Sequence, residues 1–374
     1  MKKLLIVSPF GHIGGAEISI ISLVKHLDRD SFHPIIVCYE DGPFVDKVRS
    51  SGVEIHQFQR KSVFSNISII FRLIQLIRKN EINLVHVNSF DIRAGLAAYF
   101  TTTPLIGHLR VIFPFTWIDY LFVTLATGVI SVSNTAADMF LKKYPSAKGK
   151  FSIIPNAVVQ PLTLPDSGLR KEFSIPDDSV LIGVVGRIDS WKGYEYFIQA
   201  IPNVLKKYPN TFFCVIGGVS VGYVEGEQYL QYLKELKIKL NLNEQLFFTG
   251  FRDNILSVIR ELNILVIPSV EIVKNNQIST EGFGRVAVEA MMVKTPVIAS
   301  RVGGLPEIID NEINGLLISQ KSPEAISESI IKILDDPDTT ETMVNNAYQK
   351  YLDHYTIDRH VTNIQNFYKS LILS

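Results

Sequence analysis

The sequence predicts an α/β protein made of two doubly wound halves, each a parallel sheet with helices on both faces, the two sheets facing each other across a cleft. Three observations predict it. Short apolar runs alternate with helical stripes along the chain. The alternation breaks once, in a stretch rich in turn residues, and then restarts. Glycine-rich segments stand directly after several of the apolar runs. Near-continuous apolar strands alternating with helices are what a parallel sheet buried on both faces requires.

The elements follow in order. Leu4 to Val7 reads as a first strand. With only four apolar residues before Ser8-Pro9, it is too short for the apolar core of a secretory leader, so a cytoplasmic protein is expected. Ala16, Ile20, Leu23, Val24 and Leu27 recur at helical spacing, and Pro34 to Cys38 gives a second strand. Ile67, Ile70, Phe71, Ile74 and Ile77 form another helical stripe. Strands follow at Leu84 to Val87, Leu105 to Gly107 and Val129 to Val132.

From Ile112 to Val132 the only charge is Asp119, and length alone would permit a membrane span. Pro114, Asp119 and Gly128 interrupt the segment, so a core helix followed by a strand is the reading. The aromatic patch Phe113, Phe115 and Trp117 leaves room for peripheral contact with the cytoplasmic face of a membrane.

Turn residues crowd the stretch from Pro155 to Gly168, which reads as an interdomain linker. Beyond it, strands are expected at Val180 to Val185, Thr211 to Ile216, Gln245 to Thr249, Ile264 to Ile267, Val297 to Ala299 and Leu316 to Ile318. Helices lie between them, including Tyr194 to Lys207 and Arg285 to Val293, and helices continue from Pro323 onward. The domains are placed at 1–160 and 166–354. A chain of 374 residues exceeds what one core commonly supports, which agrees with two.

Composition narrows the function. The chain is 47% hydrophobic and 20% charged, which suits a folded protein. Its 37 basic residues balance 37 acidic ones, so nothing points to nucleic acid. Cys38 and Cys214 both sit in apolar runs and read as buried, reduced thiols. No Asp-x-Asp at a strand end and no His/Cys cluster suggests a metal site.

Chemistry is sought just after the strands, because open parallel sheets bind ligands at the carboxyl ends of their strands. After the first strand comes Gly11-His12-Ile13-Gly14-Gly15-Ala16-Glu17, where paired glycines let backbone N–H groups approach an anion at a helix start. Alone, this is as well read as a tight turn. After Val185 comes Gly186-Arg187-Ile188-Asp189-Ser190-Trp191-Lys192-Gly193. Its planar Arg187 fork and the Lys192 point charge together suit a diphosphate. The segment Glu281-Gly282-Phe283-Gly284-Arg285-Val286-Ala287-Val288-Glu289 places one carboxylate in a loop and another on the following helix. Its glycines expose amides at the helix start, and Glu289, one turn deeper, can accept ribose hydroxyls. Gly303-Gly304-Leu305-Pro306-Glu307 again follows a strand and offers backbone donors to the same diphosphate.

In order and spacing these segments resemble the retaining glycosyltransferases of family 4, which have the two-domain GT-B fold. Gly14-Gly15-Ala16-Glu17, Ile154-Pro155-Asn156, Gly186-Arg187 with Lys192-Gly193, Pro268-Ser269, Glu281 to Glu289, Pro296 to Ser300 and Gly303 to Glu307 carry the resemblance through nearly the whole chain. It implies that Arg187 and Lys192 bind the donor diphosphate beside Gly186 and that Glu281 contacts donor-sugar hydroxyls. Phe283 and Gly284 would donate backbone N–H groups, and Glu289 would hold the ribose. Gly14 and Gly15 would approach the diphosphate, joined by Gly304 and Leu305. His108, placed after the strand Leu105 to Gly107, would lie near the transferred sugar, although a lone histidine there is more often structural. The resemblance also implies a first domain on the acceptor side and a second that binds the nucleotide sugar. A final helix within 357–374 would cross back to the first domain.

The pattern departs from the family at Ala157 and Lys294, where glycine is usual. It departs again in the eleven residues between Ser269 and Glu281, whose polar run Lys274-Asn275-Asn276-Gln277 suits a mobile lip.

The implied reaction moves a sugar from a UDP- or GDP-linked donor, with retention and without metal or cofactor. The acceptor would be a glycan, a lipid-linked sugar or a small molecule, as in surface polysaccharide or glycolipid synthesis. Two alternatives share the fold: a nucleotide-sugar epimerase, and a partner protein that has lost its chemistry. A dinucleotide oxidoreductase is more distant, because the G-x-G-x-x-G fingerprint is missing.

Overall fold

The computed structural model describes residues 1–58, 65–220, 222–274 and 277–372. The chain divides into two compact units. One comprises Met1–Val159 with Thr356–Ser374, and the other Gln160–Tyr355. Asn275 and Asn276 of the expected lip, and the last two residues of the expected C-terminal helix, lie outside the described residues.

The first unit is built on β1 (Lys2–Ser8), β2 (Phe32–Cys38), β3 (Glu54–Gln57), β4 (Leu84–Val87), β5 (Leu105–Leu109), β6 (Gly128–Ser131) and β7 (Phe151–Ile153). They form one parallel sheet in the order β3-β2-β1-β4-β5-β6-β7. Side chains alternate between the two faces. Leu5, Val7, Val85 and Val87 pack on one face with Phe122 and Phe140. Leu4, Ile6, Leu84 and Ile106 pack on the other with Ile20, Leu23, Ile364 and Tyr368. The last two residues belong to the helix Ile357–Ile372, so the end of the chain completes the core of the first unit.

The second unit contains β8 (Val180–Val185), β9 (Thr211–Ile216), β10 (Leu246–Gly250), β11 (Ile264–Ile267), the short antiparallel hairpin β12 (Ile272–Lys274) and β13 (Gln277–Ser279), then β14 (Val297–Ser300) and β15 (Leu316–Ile318). Its parallel sheet runs β10-β9-β8-β11-β14-β15. In both units the chain winds outward from one central strand, reverses, and winds out the other way. The reversal leaves a crevice at the carboxyl ends of β1 and β4, and again of β8 and β11, where ligands bind in such sheets.

Two expectations need correction here. The helix Ser65–Asn80 buries Ile69, Leu73, Leu76 and Ile77, whereas Ile67 and Phe71 of the expected stripe are exposed. The helix is apolar on two adjacent faces, and the register of its packing on the sheet selects between them. The segment Ile112 to Val132 resolves into the helix Trp117–Leu125 and β6, but the aromatic patch is not a surface. Phe115 is buried and Phe113 packs against the core 4.8 Å from it, leaving Trp117 as the exposed ring of the three. Among the described residues no helix is long and apolar enough to cross a membrane. Cys38 and Cys214 are unpaired and buried, and burial pushes the Cys214 thiol up to about 12.

Candidate active site

In the second unit three loops meet where the sheet reverses. Gly186 directly follows β8, and its φ of +148° suits glycine. A short 3-10 turn, Ser190–Lys192, then carries Lys192 back toward that strand end: a Cβ on Gly186 would lie 3.4 Å from Lys192 Cε. Lys192 Nζ donates to Glu281 Oε2 at 2.7 Å and stands 4.2 Å from the centroid of the Trp191 ring. Ser269, two residues beyond β11, donates its hydroxyl to the same Glu281 oxygen at 3.3 Å. The ammonium and carboxylate are both largely removed from water, so their attraction is only weakly screened.

Arg187 is half-exposed and held at 3.2 Å by Asp189, which is buried. Asp189 is not among the site residues expected from the sequence. Its place two residues beyond the arginine, in the same turn, is the signal that was available. Glu281, Asp189 and Arg187 all act electrostatically on the Tyr194 hydroxyl, whose pKa is raised first by burial and then by the two carboxylates. These charges therefore surround one buried phenol, which has no hydrogen-bond partner among the described residues.

The glycine pair after β14 packs against the loop that carries Glu281. Gly303 sits at φ +53°, and a Cβ there would fall 2.0 Å from the Glu281 carbonyl oxygen. Gly304 donates its amide to that oxygen at 2.8 Å, and the Leu305 amide donates to Val302. Both amides are thus engaged within the protein: that of Gly304 holds the loop that carries Glu281, and that of Leu305 closes its own turn on Val302. Downstream, Gly284 at φ +103° opens the helix Arg285–Met292. Phe283 is buried with its ring 6.0 Å from that of Tyr355. Glu289 accepts from Arg285 Nε at 2.8 Å, and burial, partly offset by Arg285, raises its pKa.

In the first unit, the amide of Gly14 donates to Glu17 Oε2 at 3.0 Å, so the carboxylate of the helix Gly15–His26 caps its own start. Glu40, which could suggest a dinucleotide site, accepts from the Gly11 amide at 3.2 Å. His108 is not in a loop after its strand. β5 continues through it, and the ring is fully buried. Arg110, just past β5, is likewise absent from the expected set. It is buried and donates to Asn88 Oδ1 at 2.5 Å, Ser19 Oγ at 2.8 Å and Asn156 Oδ1 at 2.6 Å. This knot ties together the segments after β4, β5 and β7 and the first helix. Asn156 was noticed only as half of Pro155-Asn156. Among the described residues no group of three or more His, Cys, Asp or Glu side chains could hold a metal ion.

Comparison with known proteins gives this geometry a lineage. The family profile described as glycosyltransferase family 4 matches residues 13–159, and the profile described as glycosyl transferases group 1 matches residues 167–350. The chain belongs to the group 1, family 4 glycosyltransferases. Its two Rossmann-like units are those of the GT-B fold. A solved structure of Anabaena Alr3699/HepE in complex with UDP-glucose superposes with a TM-score of 0.84 at 22% identity, covering 99% of this chain and 100% of that one. An Escherichia coli UDP-Gal:alpha-D-GlcNAc-diphosphoundecaprenol alpha-1,3-galactosyltransferase is 23% identical over 93% of this chain and 92% of its own length. An uncharacterised glycosyltransferase of Methanocaldococcus jannaschii is 29% identical over 67% of this chain, which spans 62% of that relative. In this glycosyltransferase the family's usual glycine before Thr295-Pro296 is Lys294, and its backbone keeps the left-handed conformation at φ +60°. Ala157, the other departure, has no positive φ and needs no glycine.

Proposed function

We propose that this glycosyltransferase moves a hexose from a nucleoside-diphosphate donor to a hydroxyl acceptor with retention of anomeric configuration. The observation that carries the reading is the Lys192–Glu281 pair, set among three strand-end loops with Arg187 beside it. As the anomeric carbon–oxygen bond to phosphate breaks, its electron pair passes to the diphosphate. Arg187 and Lys192 meet that charge without cofactor or metal. Glu281 and the Phe283 and Gly284 amides orient the sugar, Gly186 lines the approach, and Glu289 accepts from the ribose. The acceptor hydroxyl attacks from the face that the diphosphate leaves and passes its proton to the departing phosphate oxygen.

A uridine-linked donor is the first to test, because UDP-glucose occupies the HepE structure and UDP-Gal is the donor named for the E. coli relative. A glycan or diphospho-lipid acceptor, as in surface-polysaccharide synthesis, is suggested by the same relative.

The test pairs thermal-shift titration against UDP, GDP and their hexose conjugates with product NMR. One nucleotide family is expected to raise Tm, and the product keeps the donor's anomeric configuration in the presence of EDTA. Arg187→Ala is expected to lose on the order of 10²–10³ in kcat with Tm unchanged, as for other preorganised groups that stabilise developing charge. An epimerised donor without transfer, or binding without turnover over a broad acceptor panel, would replace the reading with one of the two alternatives.

A further inference from the structure

Arg187 stands half in water just past the end of β8, and the protein holds it by one corner. Its Nη2 donates to Asp189 Oδ2 at 3.2 Å, and among the described residues the guanidinium has no other hydrogen-bond partner. The arginine side chain is 51% exposed, whereas the carboxylate that anchors it is 9% exposed. The Nε and Nη1 donors are left for a ligand.

Asp189 is the fixed member of the pair. Its turn is pinned through the backbone: the Ile188 amide donates to Gly218 O at 3.0 Å, and the Lys192 amide donates to Asp189 O at 2.9 Å. A Cβ on Gly217 would fall 1.9 Å from Gly186 O, so the turn after β8 and the loop after β9 lie in direct contact. The other carboxylate oxygen, Asp189 Oδ1, accepts from Tyr223 Oη at 3.4 Å. Tyr223 leads into the helix Val224–Lys239, and its ring occupies the place of a side chain at Gly226, where a Cβ would lie 2.5 Å from Tyr223 Cδ1. Glycine is a poor helix former, and here it makes room for the ring that reaches Asp189. Both oxygens of one buried carboxylate are therefore used, one for Arg187 and one for the loop after β9.

A long arginine side chain samples many rotamers, and one bond to a fixed, charged partner narrows them. We infer that Asp189, held in turn by Tyr223, is a positioning residue that aims the Arg187 guanidinium, so that its free N–H groups meet the donor diphosphate already oriented. This rests on the proposed role of Arg187 at that diphosphate, and every residue in it belongs to the second unit. Charge and aim have opposite consequences here. By Coulomb repulsion alone, removing the Asp189 anion would tighten the binding of another anion beside it. Loss of aim weakens that binding instead.

The test titrates the full chain with UDP and with GDP and follows the one that raises Tm. Asp189→Ala is expected to weaken Kd about three- to tenfold, the coupling usual for groups in contact. Asp189→Asn keeps an oxygen for Arg187 and loses the repulsion, so it should bind at least as tightly as the parent. In an Arg187→Ala background nothing is left to aim, and Asp189→Ala should no longer weaken binding. Tyr223→Phe keeps the carboxylate but removes its second hold. It should weaken binding in the same sense and loosen the Arg187 Nε–H, read by relaxation in ¹⁵N-arginine-labelled protein, and it stands in if Asp189→Ala fails to fold. Tighter or unchanged binding in Asp189→Ala, an equal loss in the Arg187→Ala background, or Tyr223→Phe unchanged in both readouts would overturn the positioning role. Parental binding in Arg187→Ala alone would instead remove the diphosphate contact, and the relaxation data would still show whether Asp189 restrains the arginine.

Discussion

Lys192 Nζ and Glu281 Oε2 stand 2.7 Å apart although 89 positions separate them in the chain. Each neutralises the other in a place where neither is well hydrated. Under the proposed function, a substrate carrying both a diphosphate and a hydroxylated sugar would offer each a new partner. Single Lys192→Ala and Glu281→Ala variants should each lose of the order of 1–3 kcal/mol of stability, because the surviving charge is left poorly compensated. The double variant should lose less than the sum. A double-mutant cycle by chemical denaturation measures the difference, and strict additivity would mean that the pair contributes nothing. All three variants should be inactive.

Gly303 tests the loop without touching either charge. With φ at +53° and the Glu281 carbonyl where a Cβ would stand, Gly303→Ala must displace the Glu281 loop or break the Gly304 amide bond to it. A loss of about 1–3 kcal/mol is expected, with kcat down at least tenfold. A variant that matched the parent in both Tm and turnover would show that the glycine pair does not hold the loop.

Lys294 points the other way. It occupies a left-handed conformation that costs a side-chain-bearing residue about 1–2 kcal/mol, just past the end of the helix Arg285–Met292. Its compensation is modest: a 3.4 Å contact with Asn345 and a 4.8 Å approach to the Tyr348 ring. Lys294→Gly should therefore gain about 0.5–1 kcal/mol after glycine's own entropic cost, with kinetics unchanged. Urea denaturation decides the sign.

The buried histidines set a pH dependence. The folded protein keeps His86 neutral to about 3, whereas the unfolded chain protonates it near 6.5, and His108 behaves in the same sense. Between those values the unfolded state binds more protons, so stability present above 6.5 is lost as the pH falls. The slope is about 1.4 kcal/mol per pH unit for each such histidine. Comparing unfolding at pH 7.5 and 5.5 for the parent and for His86→Gln should show a shallower decline in the variant. Parallel declines would mean that His86 is charged in the fold.

The central strands were readable in the sequence because burial on both faces demands unbroken apolar runs, as in Val180 to Val185 or Ile264 to Ile267. The edge strands β3 and β7 and the hairpin β12–β13 were missed for the converse reason: three or four residues, half in water, carry no such run. Glycine turns after strands marked where to look for the site, since tight turns and close backbone approach need glycine wherever they occur.

What the sequence determined by itself was local: which residues alternate between strand and helix, which turns need glycine, and which charged side chains stand at strand ends. Only the tertiary structure decided their partners. It gave Lys192 to Glu281, bound the Gly304 amide to the Glu281 loop, drew His108 into β5, and set Tyr368 against His86 on β4. A residue's type fixes the hydrogen bonds and charge it can offer. Which of them are used depends on neighbours that the fold brings from far along the chain, and burial sets what it costs to leave one unused.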